Sequence, residues 1–144
     1  MTCLFKTCHF FFSYLRTKTL LSFKTAFIIT MFTIIAIEFT GGRSKQDHIV
    51  ELAMLKHNGT TAVASFHRII RPDSTLPLSH FTTALYTFTE VELLSAPLFS
   101  DLHLEIAAFT ENTILVGLAI RRSYALLKQS FKRCAYRFLR QQIA

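Results

Sequence analysis

This sequence predicts an α/β fold, because it places strand patterns in its first half and mainly helical patterns in its second. Strands are predicted at 32–38, 49–57 and 61–70. The first is an apolar segment that ends in an acid, and the other two alternate in the manner of half-buried strands. A short apolar segment at 113–117 has the composition of a buried strand, and a long amphipathic segment follows it. Strands and helices combined in this way predict a sheet with helices packed against it.

The second and third strands are predicted to form a hairpin. Asn58-Gly59 lies between them, and an Asn-Gly pair between two alternating segments is typical of a type I′ turn. The hairpin therefore sets which residues of the two strands lie side by side.

The helices follow the hairpin. Short helices are predicted at 79–86 and 89–95, and a longer one at 97–110 has Pro97 within its first turn. The last helix is predicted at about 119–138, where apolar residues at positions i, i+4, i+7 and i+11 form one stripe. That stripe consists of Leu127, Phe131, Cys134 and Phe138. We expect it to pack on the sheet.

Positive charge is concentrated at the two ends of the chain. The net charge is +7; residues 1–37 carry four Lys or Arg and no acid, and residues 112–144 carry seven and no acid. Residues 38–111 carry nine acidic side chains against five basic ones. Basic segments contact phosphates or anionic lipid in some proteins and are solvated surface in more of them. The hydrophobic share of 51% argues against disorder.

The first thirty residues are basic and rich in Phe and Leu, and three interpretations of them are open. They are an extension upstream of a natural start at Met31, a targeting segment, or a membrane anchor. The apolar stretch at 25–37 is shorter than the ~20 residues that a spanning helix needs, which disfavours the anchor. Three cysteines do not form a disulfide framework, so a reduced, cytoplasmic setting is expected. We treat 1–30 as an extension and 31–144 as the domain.

A resemblance to a known family begins at residues 31–42, which read MFTIIAIEFTGG. An apolar strand that ends in an acid and continues into Thr-Gly-Gly resembles the first motif of the DEDD-type 3′–5′ exonucleases. That family includes the epsilon subunit of bacterial DNA polymerase III and ribonuclease T. Further matches follow in the family's order, among them the hairpin at 48–60, the strand at 109–117 and the segment at 131–138, which is similar to the family's FKRLGY.F.

The resemblance covers roughly residues 31–140 and implies a ribonuclease H-like fold, in which helices flank a mixed sheet. The chain stops after the helix of the family's second motif. We therefore expect a C-terminally truncated domain that lacks the family's last strand and helices. A truncated sheet would expose apolar surface, which a protein partner could cover.

The family's site residues are mostly replaced. The first motif carries Asp-x-Glu, and here those positions are Ala36 and Glu38. The second motif reads Val-Gly-His-Asn-x-x-Phe-Asp, which puts Leu118 and Ala119 at the His-Asn and Ser123 at the Asp. The third motif, with its general-base His and last Asp, has no counterpart before residue 144. Of the family's metal-binding carboxylates, only Glu38 is kept.

These replacements predict the loss of catalysis. The family uses two Mg²⁺ or Mn²⁺ ions, and two-metal hydrolysis holds such ions about 4 Å apart. Carboxylate oxygens hold hard divalent ions, and one remnant carboxylate, Glu38, does not hold two of them against their hydration. The hydroxyl of Ser123 is neutral, and a base for the attacking water is missing. We therefore expect no catalytic residue and no cofactor.

Arg121 and Arg122 are the candidate nucleic-acid-binding residues. They lie beside the position where the resemblance places a substrate phosphate, and guanidinium groups hold phosphate directly as bidentate donors. Single-stranded nucleic acid is therefore the expected partner, and membrane contact is disfavoured.

Two alternative functions remain. One is a small basic membrane-associated protein that keeps an exonuclease fold as a relic. The other is an active 3′–5′ exonuclease completed by a partner, which is disfavoured because a partner does not replace the carboxylates lost at 36 and 123.

Overall fold

The structure is a computed structural model that describes residues 31–40, 47–73, 88–138 and 142–144. The extension at 1–30 and the helix predicted at 79–86 lie outside the described residues. The described elements are β1 (Phe32–Phe39), β2 (Ile49–His57), β3 (Ala62–Ile69), α1 (Glu90–Ser95), α2 (Phe99–Thr110), β4 (Ile114–Val116), α3 (Ile120–Arg133) and β5 (Gln142–Ile143). Within these ranges every helix falls short of the length and hydrophobicity that crossing a bilayer requires.

The described strands form one mixed sheet in the order β3-β2-β1-β4-β5. β1 pairs antiparallel with β2, and β2 with β3, whereas β4 runs parallel to β1 on its other side. The predicted mixed sheet with flanking helices is confirmed. One expectation needs correction: the family's strand after the last helix was expected to be missing, but β5 pairs in parallel with β4 through Gln142 and Ile143.

The main core lies between the sheet and helices α2 and α3. We call this side of the sheet the helix face. Its buried side chains come from β1 to β3 and from both helices, and include Ile35, Leu52, Met54, Phe66, Leu102, Ile106, Leu127 and Phe131. The predicted packing of the last helix on the sheet is therefore confirmed. A smaller cluster of Val50, Phe88 and Leu93 packs with Ile69.

The hairpin between β2 and β3 forms as predicted, but its turn is not type I′. Only Gly59 in this turn has a positive φ, of 92°, whereas a type I′ turn needs two such residues. The side-chain Oδ1 of Asn58 instead accepts hydrogen bonds from the N–H groups of Thr60 and Thr61. This Asx-type arrangement makes the loop longer and places a register shift between Lys56 and His57.

Helix α3 ends at Arg133, five residues before the predicted boundary. The N–H of Tyr136 donates to the carbonyl of Phe131, the N–H of Ala135 donates to that of Lys132, and Ala135 has a φ of 54°. These are the bonds of a Schellman motif, which normally has glycine at the left-handed position. Phe138, predicted to be the end of the helical stripe, lies beyond the helix and stacks on the Phe131 ring at 4.2 Å.

Candidate functional site

The candidate site lies where β1 and β4 end and α3 begins. Because these two strands are parallel neighbours, their carboxyl ends meet at one edge of the sheet, where ligands bind in many α/β proteins. Gly117 permits the close approach, since a Cβ atom there would lie 2.5 Å from the carbonyl oxygen of Ile35. The chain then turns through Leu118 and Ala119 into α3.

Ala36 and Glu38 lie on the sheet face opposite to the helix face. They alternate along β1 with Ile35 and Ile37, and both side chains are exposed. Their register partners on β2 are Ala53 and Glu51. The structure therefore brings together the two first-motif positions as the resemblance implies, with a methyl group at one and a carboxylate at the other.

Glu38 lies beside a second carboxylate. It pairs in register with Glu51, and partial burial together with the Glu51 charge raises the pKa of Glu38. The carboxylate of Glu51 is also 2.6 Å from Nε2 of His67 on β3. Glu51 on β2 therefore lies between His67 on β3 and Glu38 on β1.

The second-motif positions lie at the same edge of the sheet, but their side chains place no charged group there. Leu118 is 69% exposed and apolar. Ala119 adopts a left-handed conformation, with φ 50° and ψ 39°, as the N-cap of α3. Ser123 is 8% exposed, and its hydroxyl forms no hydrogen bond with any described residue. The serine therefore faces the protein interior.

Arg121 and Arg122 are exposed in the first turn of α3, which carries no acidic residue. The guanidinium of Arg122 lies over the ring of Phe39, 4.3 Å from its centroid, at the end of β1. A cation–π contact of this kind stabilises one position of the guanidinium by a modest free energy. Phe39 packs against the main core, so Arg122 is anchored on the helix face, next to but not on the face that carries Glu38.

The residues present do not fit a pair of divalent metal ions. Ala36 supplies no oxygen, Ser123 is buried and neutral, and the neighbour of Glu38 is engaged with His67. Throughout the described part of the chain, no group of three or more His, Cys, Asp or Glu side chains is arranged to hold a metal ion.

Sequence reasoning missed Glu51, His67 and Phe39. The hairpin signal placed Glu51 and His67 on neighbouring strands, but their register depends on the irregularity at Lys56/His57. Phe39 follows the first motif directly, yet its contact with Arg122 joins residues 83 positions apart and has no local signal.

Comparison with known proteins finds similarity to a curated protein and to many solved structures. No known protein-family profile matches the chain. The chain is 30% identical over 102 residues to DNA polymerase III PolC-type of Latilactobacillus sakei subsp. sakei (strain 23K). That alignment covers 71% of this chain and 7% of the relative.

The similar structures are those of exonuclease I. An inhibitor complex of exonuclease I has a TM-score of 0.67 at 12% identity and covers 80% of this chain and 28% of that one. E. coli exonuclease I in complex with a dA16 oligonucleotide has a TM-score of 0.66 at 12% identity, with 80% and 27% covered. This chain thus spans less than a third of each protein that it matches here. The resemblance to the DEDD-type exonuclease domain is confirmed.

Proposed function

We propose that this chain, an exonuclease-domain protein similar to DNA polymerase III and exonuclease I, binds single-stranded nucleic acid without hydrolysing it. The observation that carries the proposal is the pair of side chains at the end of β1. A methyl group stands at 36 where the family has a carboxylate, and Glu38 remains beside it.

The absence of hydrolysis follows from the small number of metal-binding oxygens at this site. Bringing two divalent ions together needs several negatively charged oxygens to offset the repulsion between the ions. Glu38 and Glu51 are the acids in register here, and Glu51 is engaged with His67. The buried hydroxyl of Ser123 adds no charge. These residues therefore do not assemble a metal pair.

In the proposed binding, arginine side chains rather than metal ions hold the phosphates of the nucleic acid. Arg121 and Arg122 lie at the edge of the sheet where β1 ends, and Arg122 is held over Phe39. A guanidinium donates two parallel hydrogen bonds to a phosphate. Several similar folds are exonuclease I bound to single-stranded DNA, which supports this class of partner. Such binding would be sequence-tolerant and weakened by salt.

The test is fluorescence anisotropy with a labelled single-stranded oligonucleotide at several salt concentrations. Replacing both Arg121 and Arg122 by Gln should weaken binding. Each lost phosphate contact should reduce the slope of log affinity against log salt by about 0.7, so the double variant should lose about 1.4. The matched control is the double replacement of Lys128 and Lys132 by Gln, which removes the same charge from exposed positions farther along α3.

Equal losses in the two double variants would show diffuse charge attraction in place of a site. No binding at low salt would overturn the proposed partner.

A further inference from the structure

A cavity of about 340 Å³ lies between the beginning of α2 and the end of α3. Its walls also include the first residues of β2 and the residues that follow β3. None of the candidate site residues on β1 or in the first turn of α3 lines it. A volume of this size is at the lower end of small-molecule sites, about 300–1,000 Å³.

The cavity has an apolar floor. Ile49 and Ile70 are 3% and 1% exposed, and the half-buried ring of Phe99 lies beside them. Because Ile49 and Ile70 are almost completely covered by the protein itself, a planar or aliphatic group in the cavity would bury apolar surface mainly on Phe99, which favours binding.

Two arginines supply positive charge at the cavity wall. Nη1 of Arg133 donates to the carbonyl of Asp47 at 2.8 Å, and Nη1 of Arg71 reaches the carbonyl of Leu94 at 3.4 Å. A guanidinium carries five N–H groups in a fixed fork, so one side chain can serve a backbone carbonyl and a ligand together. These contacts position both cations at the cavity before any ligand arrives.

Ser130 is the feature that points to a ligand. Its side chain is 6% exposed, lines the cavity and forms no hydrogen bond with any described residue. Buried hydroxyl groups are nearly always hydrogen-bonded, so one without a partner requires an explanation. A ligand oxygen in the cavity would provide that partner.

The beginning of α2 also lies at the cavity, and an acid is present in its first turn. This helix has 12 residues, and Leu98, Phe99 and Ser100 at its start line the cavity. The N–H of Leu98 donates to the carboxylate of Asp101 at 2.9 Å, so this helix start already has an anion and adds little positive potential to the cavity. Burial and then the charge of Arg133 lower the pKa of His48 on the cavity wall, while the charges of Asp73 and Asp47 oppose that shift.

We propose that this cavity binds a nucleoside monophosphate. The phosphate would lie between Arg71, Arg133 and the Ser130 hydroxyl, and the sugar and base would pack on the half-buried ring of Phe99. Asp73 also lines the cavity, and its carboxylate limits the affinity by repelling the phosphate. This site is separate from the one proposed to bind single-stranded nucleic acid and does not depend on it.

The test is isothermal titration calorimetry of the full chain with dTMP, inorganic phosphate and thymidine. dTMP should bind more tightly than inorganic phosphate, and thymidine should bind far more weakly than dTMP. Equal affinity for dTMP and inorganic phosphate overturns the nucleotide assignment. Absence of dTMP binding overturns the whole proposal.

Ser130→Ala gives the sharpest variant. Because a hydrogen bond to a charged group would be lost, dTMP affinity should fall at least about fivefold. The unfolding midpoint of the free variant should stay the same or rise, because an unpartnered buried hydroxyl is removed. Ser65→Ala, at an exposed position on β3, is the matched control and should leave dTMP affinity unchanged. Equal dTMP affinity in Ser130→Ala and wild type overturns the assignment of the hydroxyl and with it the site.

Further charge variants complete the experiment. Arg71→Gln should weaken dTMP binding, and Arg68→Gln, outside the cavity, should not. Asp73→Asn should strengthen it. The double Arg121 and Arg122 variant should leave dTMP affinity unchanged, which separates failure at this cavity from failure of the proposed function. If Arg68→Gln matches Arg71→Gln, binding reflects overall charge and the proposal is wrong.

Discussion

At the residue scale, two alanines occupy backbone positions that other residues suit better. Ala119 and Ala135 have φ values of 50° and 54°. The left-handed region costs an L-residue with a Cβ atom roughly 1–2 kcal/mol, while Gly is free of this cost and Asn tolerates the region. The resembled family has Asn at the first position and Gly at the second. The structure thus explains both family residues through backbone conformation.

Ala135→Gly should therefore stabilise the protein by about 1 kcal/mol, because the Schellman motif at the end of α3 keeps its hydrogen bonds without the Cβ strain. Chemical denaturation monitored by circular dichroism measures this change. The same substitution at Ala125, exposed inside α3, should instead destabilise by about 1 kcal/mol through lost helix propensity. Destabilisation by both substitutions would contradict the backbone assignment at 135.

Glu38 should make stability depend on pH. Its pKa in the folded protein is raised by burial and by Glu51, so the native state binds the proton more tightly than the unfolded chain does. The free energy of unfolding therefore falls as the pH rises from the ordinary glutamate pKa through the raised one. Glu38→Gln removes this titration. The variant should be more stable than wild type above that interval, and the advantage should shrink at lower pH.

Denaturation of both proteins across the acidic range measures the difference. An offset between them that does not change with pH would contradict the raised pKa of Glu38.

At the element scale, the candidate site requires that β4 and β1 lie close together where the two strands end. A Cβ atom on Gly117 would meet the carbonyl oxygen of Ile35 at 2.5 Å, and the atom met is backbone, which does not rotate away. Gly117→Ala should therefore destabilise the protein by about 1–3 kcal/mol, the range for overpacking. Equilibrium denaturation checks the value. A loss below about 0.5 kcal/mol, the size of an ordinary surface change, would show that β4 lies farther from β1.

The elements also show what the sequence could predict. β2 was predicted with its observed bounds, because strong alternation and an Asn-Gly pair define the strand before the hairpin. The end of α3 was missed because the expected signal, a glycine, is replaced by Ala135. The hydrogen bonds of Ala135 and Tyr136 and the packing of Tyr136 and Phe138 on Phe131 show where the helix stops. The cavity was missed because its walls come from segments far apart in the chain.

At the scale of the whole molecule, the distribution of charge along the sequence corresponds to particular elements of the structure. The central part of the sequence is acidic, and the basic residues after 111 include those exposed along α3. Arg122 at the start of this helix lies over Phe39, and Arg133 at its end contacts Asp47. One helix therefore contributes to two proposed anion sites, about 16 Å apart by the rise of 1.5 Å per residue.

The central claim is that the exonuclease fold is kept here without exonuclease chemistry. The most direct test incubates the full chain with 5′-labelled single-stranded DNA and RNA in Mg²⁺ and then in Mn²⁺, and resolves the products by length. Because Ala36 and Ser123 supply no carboxylate, the oligonucleotides should stay intact in both metals. Progressive shortening from the 3′ end that disappears in Glu38→Gln would contradict the claim.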